Sequence, residues 1–321
     1  KMARYRQNSR TNRRRISWAI LIGESMKISD NYKVALVTGA AGFIGSHLVE
    51  ELLDNEIRVI GIDNLSAGKI ININPFLDKK NFNFYKCDIS DFKDLESIFN
   101  QHKIDVVFNN AASKKNICLL DPQRDLDVNA KGTLNLLELS KINGVKKFVH
   151  ASSGSVYGEA KILPQDENHP IDPVSFYGVS KLAGERYVKV FERNKGLNTT
   201  ILRYFHVYGP RQENDMSLGG VIAIFIDRIL KKQPIYIHGD GNQERSFTYV
   251  KDIVKANLLV ANSPSSKGEF YNVASGINVT LNDLVSELKK YFSQEKIAVI
   301  YDDWLEGDIK KFQIENKKIR D

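Results

Sequence analysis

"LVTGAAGFIGSHLVEELLDNEIRVIGIDNLSAGK" spans Leu36–Lys69, and the spacing of its glycines and its acid decides how the chain is read. An apolar run, "KVALVTGA" (33–40), leads into Gly39, Gly42 and Gly45; "FIGSHLVEELLD" (43–54) then carries apolar residues at helical spacing. A second apolar run, "RVIGID" (58–63), ends on Asp63 and Asn64. Strand, glycine turn, helix and strand in this order form the setting of a dinucleotide site, here with the spacing G-x-x-G-x-x-G. Gly39 permits the sharp turn, Gly42 lets a pyrophosphate approach bare backbone, and Gly45 lets the helix lie close on its strand. The free N–H groups and dipole of the helix start then favour the phosphate charge. Asp63 follows Gly45 by 18 residues, where its carboxylate can accept hydrogen bonds from the ribose hydroxyls and repel a 2′-phosphate. The expected cofactor is therefore NAD rather than NADP. A plainer reading is that Asp63 and Asn64 cap a turn. Asp88, closing the third strand, allows the same two readings: contact with adenine, or a turn aspartate.

The pattern continues outward from this unit. "FNFYKCD" (82–88), "DVVFNNA" (105–111) and "KKFVHAS" (146–152) read as further buried strands. "DFKDLESIFNQH" (91–102) and "DVNAKGTLNLLELSKIN" (127–143) read as the helices between them. Next come a long helix at 175–194 and a strand, "NTTILRYFHVYG" (198–209). Apolar strands alternating with helices predict an α/β fold, a Rossmann-type doubly wound parallel sheet. Beyond it, "VIAIFIDRILKK" (221–232) and "LNDLVSELKKYF" (281–292) read as helices with short strands such as "PIYIHG" between, a smaller C-terminal α/β lobe. The expected units are a basic extension at 1–30, a dinucleotide-binding domain at 31–204, and a mainly substrate-binding lobe at 205–321. The chain is expected to recross around 245–275.

Charge points away from nucleic acid. The net charge of +7 arises in residues 1–15, which hold seven basic side chains and no acid; the 46 basic residues less these seven leave 39, equal to the 39 acids. "NRRRISWAILIG" (12–23) has the outline of a short export signal, yet its apolar run, Ile16–Ile22, is far below the ~20 residues that cross a bilayer. Met26 stands where a start would naturally fall, so the segment is read as an extension without structure or of artificial origin. Cys87 and Cys118 offer neither a disulfide framework nor metal-ligand spacing. The expectations are a cytoplasmic protein with no bound metal and no nucleic-acid or membrane partner.

The chemistry is sought at the carboxyl ends of the strands. "HASSGSVYG" (150–158) brings serines there, and Tyr177 and Lys181 follow at helical i, i+4 spacing. A tyrosine titrates near about 10. An ammonium ~4–5 Å away contributes roughly 3–4 kcal/mol at an effective dielectric near 20, which lowers the phenol by about two to three pH units. The phenolate could then take a proton from a sugar hydroxyl while hydride leaves the same carbon, with a serine sharing the hydroxyl. Tyr157 and Lys161 match the same Y-x-x-x-K pattern, but "YGEAKILP" has little helical periodicity and runs into Pro164. Tyr177 and Lys181 are therefore the expected pair.

Taken together, "TGAAGFIGSHL", "IDNLSAGK", "VNAKGTLNLLE", "ASSGSVYG", "YGVSKLAGE", "LRYFHVYGPRQ" and "GDGNQERSFTYVKDIVKA" resemble the extended short-chain dehydrogenase/reductases that act on nucleotide sugars, over about 31–310. The pattern is closest to the UDP-sugar 4-epimerases. The resemblance implies NAD, a nucleotide-sugar substrate, and a homodimer formed through the helices at 127–143 and 176–195. It implies Ser153, Tyr177 and Lys181 as catalytic residues. For the cofactor it adds Phe43, Ile44, Ser66, Ile89, Ala111, Ala112, Lys114, Asn129, Tyr177, Lys181 and Tyr204 to the glycines, Asp63, Asn64 and Asp88. For the substrate it implies Ser153, Ser155, His206, Val221 and Arg245, the last by charge-assisted bonds to the diphosphate. Dehydratases of this family carry Asp-Glu after the catalytic Ser/Thr; here Gly154 and Ser155 follow Ser153, so epimerisation is expected. A dehydratase, decarboxylase or reductase, and a non-catalytic NAD sensor, are the alternatives. His206 stands where the family has a substrate-binding asparagine, Ser246 where an aspartate is common, and Leu305 where a second arginine is usual.

Overall fold

The computed structural model describes residues 27–113, 115–214, 219–293, 296–304 and 313–321; of Lys115, Asn116 and Ile117 only the backbone is described. Seven strands form the central sheet: β1 (Val34–Thr38), β2 (Arg58–Asp63), β3 (Phe82–Lys86), β4 (Val106–Asn109), β5 (Lys147–Ser153), β6 (Thr199–Tyr204) and β7 (Phe270–Val273). Their order is β7-β6-β5-β4-β1-β2-β3 with every pairing parallel. Leu36 of β1 lies between Ile60 of β2 and Val107 of β4.

A sheet covered on both faces explains why its strands read as apolar runs without alternation. On one face Ala35, Val37, Val59 and Phe108 meet Leu48 and Leu52 of helix α1 (Phe43–Asp54). On the other, Leu36, Ile60, Val107 and Phe148 meet three helices, α2 (Phe92–Gln101), α3 (Thr133–Ile142) and α4 (Phe176–Lys195). Each fully buried large apolar side chain contributes about 1.5–3 kcal/mol, so these two layers are the main stabilising term. The β1–β2 crossover through α1 and the β3–β4 crossover through α2 lie on opposite faces, which opens a crevice at the carboxyl ends of β1 and β4.

The smaller lobe packs helix α5 (Val221–Leu230) against Ile235 and Ile237 and against Leu281, Leu284 and Leu288 of a helix at Leu281–Tyr291. Between the two, the chain returns to the sheet. Helix α6 (Val250–Asn262) buries Ile253, Val254 and Val260 in the first apolar layer, and β7 then pairs with β6. The helix at Leu281–Tyr291 becomes α7 in chain order.

Three details differ from the sequence reading. The strand read over 198–209 ends at Tyr204; His206 adopts φ 37°, and Val207–Tyr208 pairs separately with Thr248–Tyr249. The helix read over 127–143 begins with a π-turn, Asp127–Gly132, and is preceded by short helices at Lys115–Leu120 and Pro122–Leu126. Residues 28–30, assigned to the basic extension, belong to the helix Ile28–Asn31, with Ile28 buried in the core; residues 1–26 lie outside the described residues. No described helix is long and apolar enough to cross a membrane.

Candidate active site

The glycine turn is compressed to the limit of what lacks a side chain. Gly39 sits at φ 67°, the left-handed region, and its backbone approaches that of Ala111. A Cβ on Gly45 would stand 2.0 Å from the Gly39 carbonyl oxygen, and one on Gly42 3.0 Å from the same atom. Bare backbone thus faces a crevice of about 320 Å³ at the mouth of β1 and β4. Its wall includes Gly39, Gly42, Phe43, Ile44, Gly45, Asp63, Asn64, Ser66, Asp88, Ile89, Ala111 and Ala112, all named from the sequence. In the same wall the buried side-chain nitrogen of Asn110 has no hydrogen-bond partner among the described residues. A crevice with an exposed helix start, an unmet donor and an acid at the end of β2 fits a dinucleotide. Gly45→Ala is expected to separate helix from turn: overpacking costs roughly 1–3 kcal/mol, and NAD affinity should fall at least about tenfold. Thermal unfolding and calorimetric titration with NAD measure the two effects.

Two acids close the crevice. Asp63 is buried; its oxygens accept from the backbone N–H groups of Ala41 (3.0 Å) and Leu65 (2.8 Å). Burial pushes its carboxyl up, and those backbone bonds oppose the shift. Asp88 accepts from Asn64 Nδ2 at 2.7 Å, from Ser90 at 2.6 and 2.9 Å, and from Arg124. Burial raises its carboxyl, but the bonds from Ser90, Asn64 and Arg124 outweigh that and hold it at about 2. Asp88 is thus anionic and ties the loop after β2 to Arg124. Arg124, Asn110 and Ser113 line the crevice and were not found from the sequence. Only the fold brings Arg124 to Asp88, 36 positions apart, so no local pattern marks it.

Ser153 ends β5. Its Oγ accepts from the Ser155 backbone N–H at 3.1 Å and lies 3.2 Å from the Ser155 hydroxyl. Gly154 between them has no room for a side chain, since its Cβ would stand 2.1 Å from the Phe205 ring. Across from Ser153, α4 starts at Ser175, whose hydroxyl caps the Gly178 N–H. This sets Tyr177 in the first turn and Lys181 one turn later. The Ser153 hydroxyl acts on the Tyr177 phenol closely enough to draw its pKa downward. Lys181 is buried, and its Nζ donates to the Ala151 carbonyl at 2.5 Å.

The electrostatics correct the sequence expectation. The phenol is not lowered: burial pushes it up to about 12, Ser153 opposes the shift, and Cys118 and Asp125 add to it. Burial brings Lys181 down to about 8, against the pull of Glu185, Asp125 and Cys118. Desolvation dominates both groups, because the ammonium is directed at the β5 backbone.

The rival pair comes apart in the fold. Tyr157 is fully buried and donates to Asn272 Oδ1 at 2.7 Å, whereas Lys161 is exposed and pairs with Asp172 at 2.7 Å.

The remaining residues fall in two groups. Asn129 does not line the crevice; it is buried in the π-turn, accepts from the Ser113 N–H at 3.0 Å and donates to Asp125 and Ser180. Tyr204 is held by Asn257, with Nδ2 at 2.8 Å from its hydroxyl. His206 packs edge-on to Phe247, with ring centroids 6.0 Å apart. Val221 begins α5 and packs on the lobe's apolar core, and Arg245 donates to the Glu244 carbonyl at 2.9 Å. Neither borders the crevice. Lys114 and Leu305 lie outside the described residues. Among the described residues no cluster of His, Cys, Asp and Glu is arranged to hold a metal ion.

Known proteins resemble the chain in sequence and in fold. A UDP-glucose 4-epimerase of Mycolicibacterium smegmatis is 35% identical over 89% of this chain and 91% of its own length. The crystal structure of a UDP-glucose 4-epimerase of Thermotoga maritima with UDP-glucose superposes with a TM-score of 0.83 at 41% identity, covering 89% of this chain and 90% of that one. A UDP-N-acetylglucosamine 4-epimerase of Methanobrevibacter ruminantium, in complex with UDP-N-acetylmuramic acid, gives 0.85 at 38% identity, covering 90% and 91%. The model of the NAD dependent epimerase/dehydratase family matches residues 35–274, from the first strand through β7. That stretch takes in the glycine turn and the Tyr177 helix alike, and the chain therefore belongs to this NAD-dependent family.

Proposed function

We propose that the chain epimerises a nucleotide-activated hexose, a UDP-sugar in the first instance, at C4 through a transient 4-keto sugar. Ser153 and Ser155 at the carboxyl end of β5, His206, Val221 and Arg245 are assigned to the sugar nucleotide. Tyr177 takes the proton of the C4 hydroxyl, with Ser153 holding the same oxygen, and C4 becomes a ketone as its hydride departs. NAD, held at the glycine turn and Asp63, would supply the hydride acceptor and donor and a positive charge that favours the phenolate. Once the sugar has turned, Tyr177 gives the proton back, and no net oxidation remains.

The observation that carries this reading is the absence of an available acid beside the serine–tyrosine pair among the described residues. Gly154 and Ser155 follow Ser153, while the acids acting on Tyr177 and Lys181, Asp125 and Glu185, are buried at 1% and 2% exposure. Asp125 accepts from Asn129 and Glu185 from Arg203. Loss of water needs a further acid and base at the sugar besides Tyr177; returning hydride to the opposite face needs only the proton that Tyr177 already holds. The test is incubation with UDP-galactose, UDP-N-acetylglucosamine, UDP-glucuronate and dTDP-glucose, followed by NMR. Interconversion of C4 epimers is expected, and accumulation of a 4-keto-6-deoxy sugar or release of CO₂ would overturn the reading.

The dinucleotide-binding unit is assigned to 28–204 together with α6 and β7, and the substrate lobe to the rest of 205–321. A homodimer is part of the proposal: α4 exposes Phe176, Val179, Tyr187 and Val190 at helical spacing, and α3 exposes Ile142. A monomeric mass in solution would remove it. The cytoplasm is the proposed compartment, in keeping with two buried thiols.

A further inference from the structure

Behind the catalytic helix lies a buried polar cluster to which the proposed chemistry assigns no role. Asp125, 1% exposed, ends no strand and does not line the crevice. Its Oδ1 accepts from Asn129 Nδ2 at 2.6 Å and from the Cys118 thiol at 2.7 Å. The same Asn129 nitrogen donates to Ser180 Oγ at 3.0 Å, and Ser180 in turn donates to the Tyr177 carbonyl at 3.1 Å. The chain of bonds thus runs from the Asp125 carboxylate to the single helical turn that holds Tyr177 at one end and Lys181 at the other. Asn129 Oδ1 meanwhile receives the Ser113 N–H, from the crevice wall.

A carboxylate in this place carries a cost. An ionised acid removed from water is expensive unless it is paired or well hydrogen-bonded. Neutral asparagine at 125 could accept the same two bonds, so geometry alone does not require the charge. The charge faces the pair that moves the proton. Among the described residues the titratable groups around it are Cys118, Tyr177 and Lys181, with Glu185 and His150 on the far side of Lys181.

We propose that Asp125 is a positioning residue for Tyr177 and Lys181, fixing their helical turn through Asn129 and Ser180 and setting, by its buried negative charge, the pH range in which the pair works. An anion near both groups opposes phenolate formation and supports the ammonium, so both limbs of the activity profile lie higher in pH than they would without it. This direction agrees with the contributions of Asp125 to both side chains.

The inference rests on Tyr177 being the proton-transfer group, and its test keeps that premise separate. Asp125→Asn preserves shape and acceptor while removing charge; Asp125→Ala removes both. Ultraviolet difference titration of each protein against its Tyr177→Phe counterpart, with NAD added, reports the phenol whatever the substrate is. In Asp125→Asn the phenol should titrate roughly one pH unit lower than in the parent. Both limbs of kcat against pH should move down with it, with KM within about twofold. Asp125→Ala should lower kcat by about tenfold or more, with thermal unfolding checking that each variant folds. A phenol and pH profile unmoved in Asp125→Asn, in a folded protein, overturns the proposal. A phenol that moves while no sugar is turned over sinks the epimerase reading and leaves the role of Asp125 standing.

Discussion

Tyr177→Phe should lower kcat by roughly 10²–10⁴-fold, the range of a lost general acid–base group, while affinity for NAD and for the nucleotide sugar changes little. The phenol stands near Ser153 at the end of β5, and among the described residues the other hydroxyls there are serines, which titrate far too high to serve as the base. Tyr157, the other candidate by pattern, is fully enclosed with Asn272 and Arg203. Phenylalanine keeps the ring packing, so only the proton-transfer atom is removed. With the phenol pushed up to about 12, almost all of it is protonated at neutral pH in the free protein. The rate should therefore climb with pH until the Lys181 ammonium, at about 8, begins to lose its charge. Steady-state kinetics from pH 6 to 10 on parent and variant would check both statements. A variant within tenfold of the parent would remove Tyr177 from the mechanism and restore the sensor alternative.

The largest effect on stability is expected at Glu185. Its carboxylate meets Arg203 in two parallel bonds, Oε1 to Nε at 2.8 Å and Oε2 to Nη2 at 2.7 Å, with both side chains almost fully buried. Ser152 donates to the same Oε1 at 2.6 Å, and Arg203 Nη1 donates to the Tyr157 hydroxyl at 2.8 Å. Glu185→Ala leaves a guanidinium enclosed without its counter-charge, so a loss of about 3–5 kcal/mol follows. Glu185→Gln, which retains an acceptor, should cost less. In Glu185→Leu/Arg203→Met neither charge remains, and much of the loss should be recovered. Urea unfolding of the three proteins measures this. Equal losses in all three would show that the pair is not what holds β5, β6 and α4 together.

The sequence revealed the parts of the site that are local along the chain. Gly39, Gly42, Gly45 and Asp63 sit in one strand–helix–strand unit, and Tyr177 with Lys181 in one helical turn, so spacing alone brings each set together. The seven-stranded sheet was legible up to β6 because its strands, the half-buried edge strand β3 apart, are largely buried runs. It became illegible where chemistry depends on long-range closure. Arg124 reaches Asp88, and Asn129 reaches Ser113 and Ser180, only after the sheet has formed. The π-turn at Asp127–Gly132 has no sequence period of its own, since Asn129 and its three partners hold it open. The phenol's electrostatics were misjudged for a related reason: a one-turn spacing places two side chains on one face but does not say how much water is left around them, nor that a strand carbonyl will claim the ammonium.

The return of α6 and β7 to the central sheet makes the smaller lobe an insertion rather than an appendage. Any exchange of this lobe between relatives would need three junctions, one after β6, one before α6 and one after β7. A fragment stopped at residue 204 would expose the edge of β6 and the apolar face that α6 shields, so it should self-associate instead of behaving as an autonomous half. Sequence drift in the lobe can proceed without touching the nucleotide cradle, provided these seams keep their register.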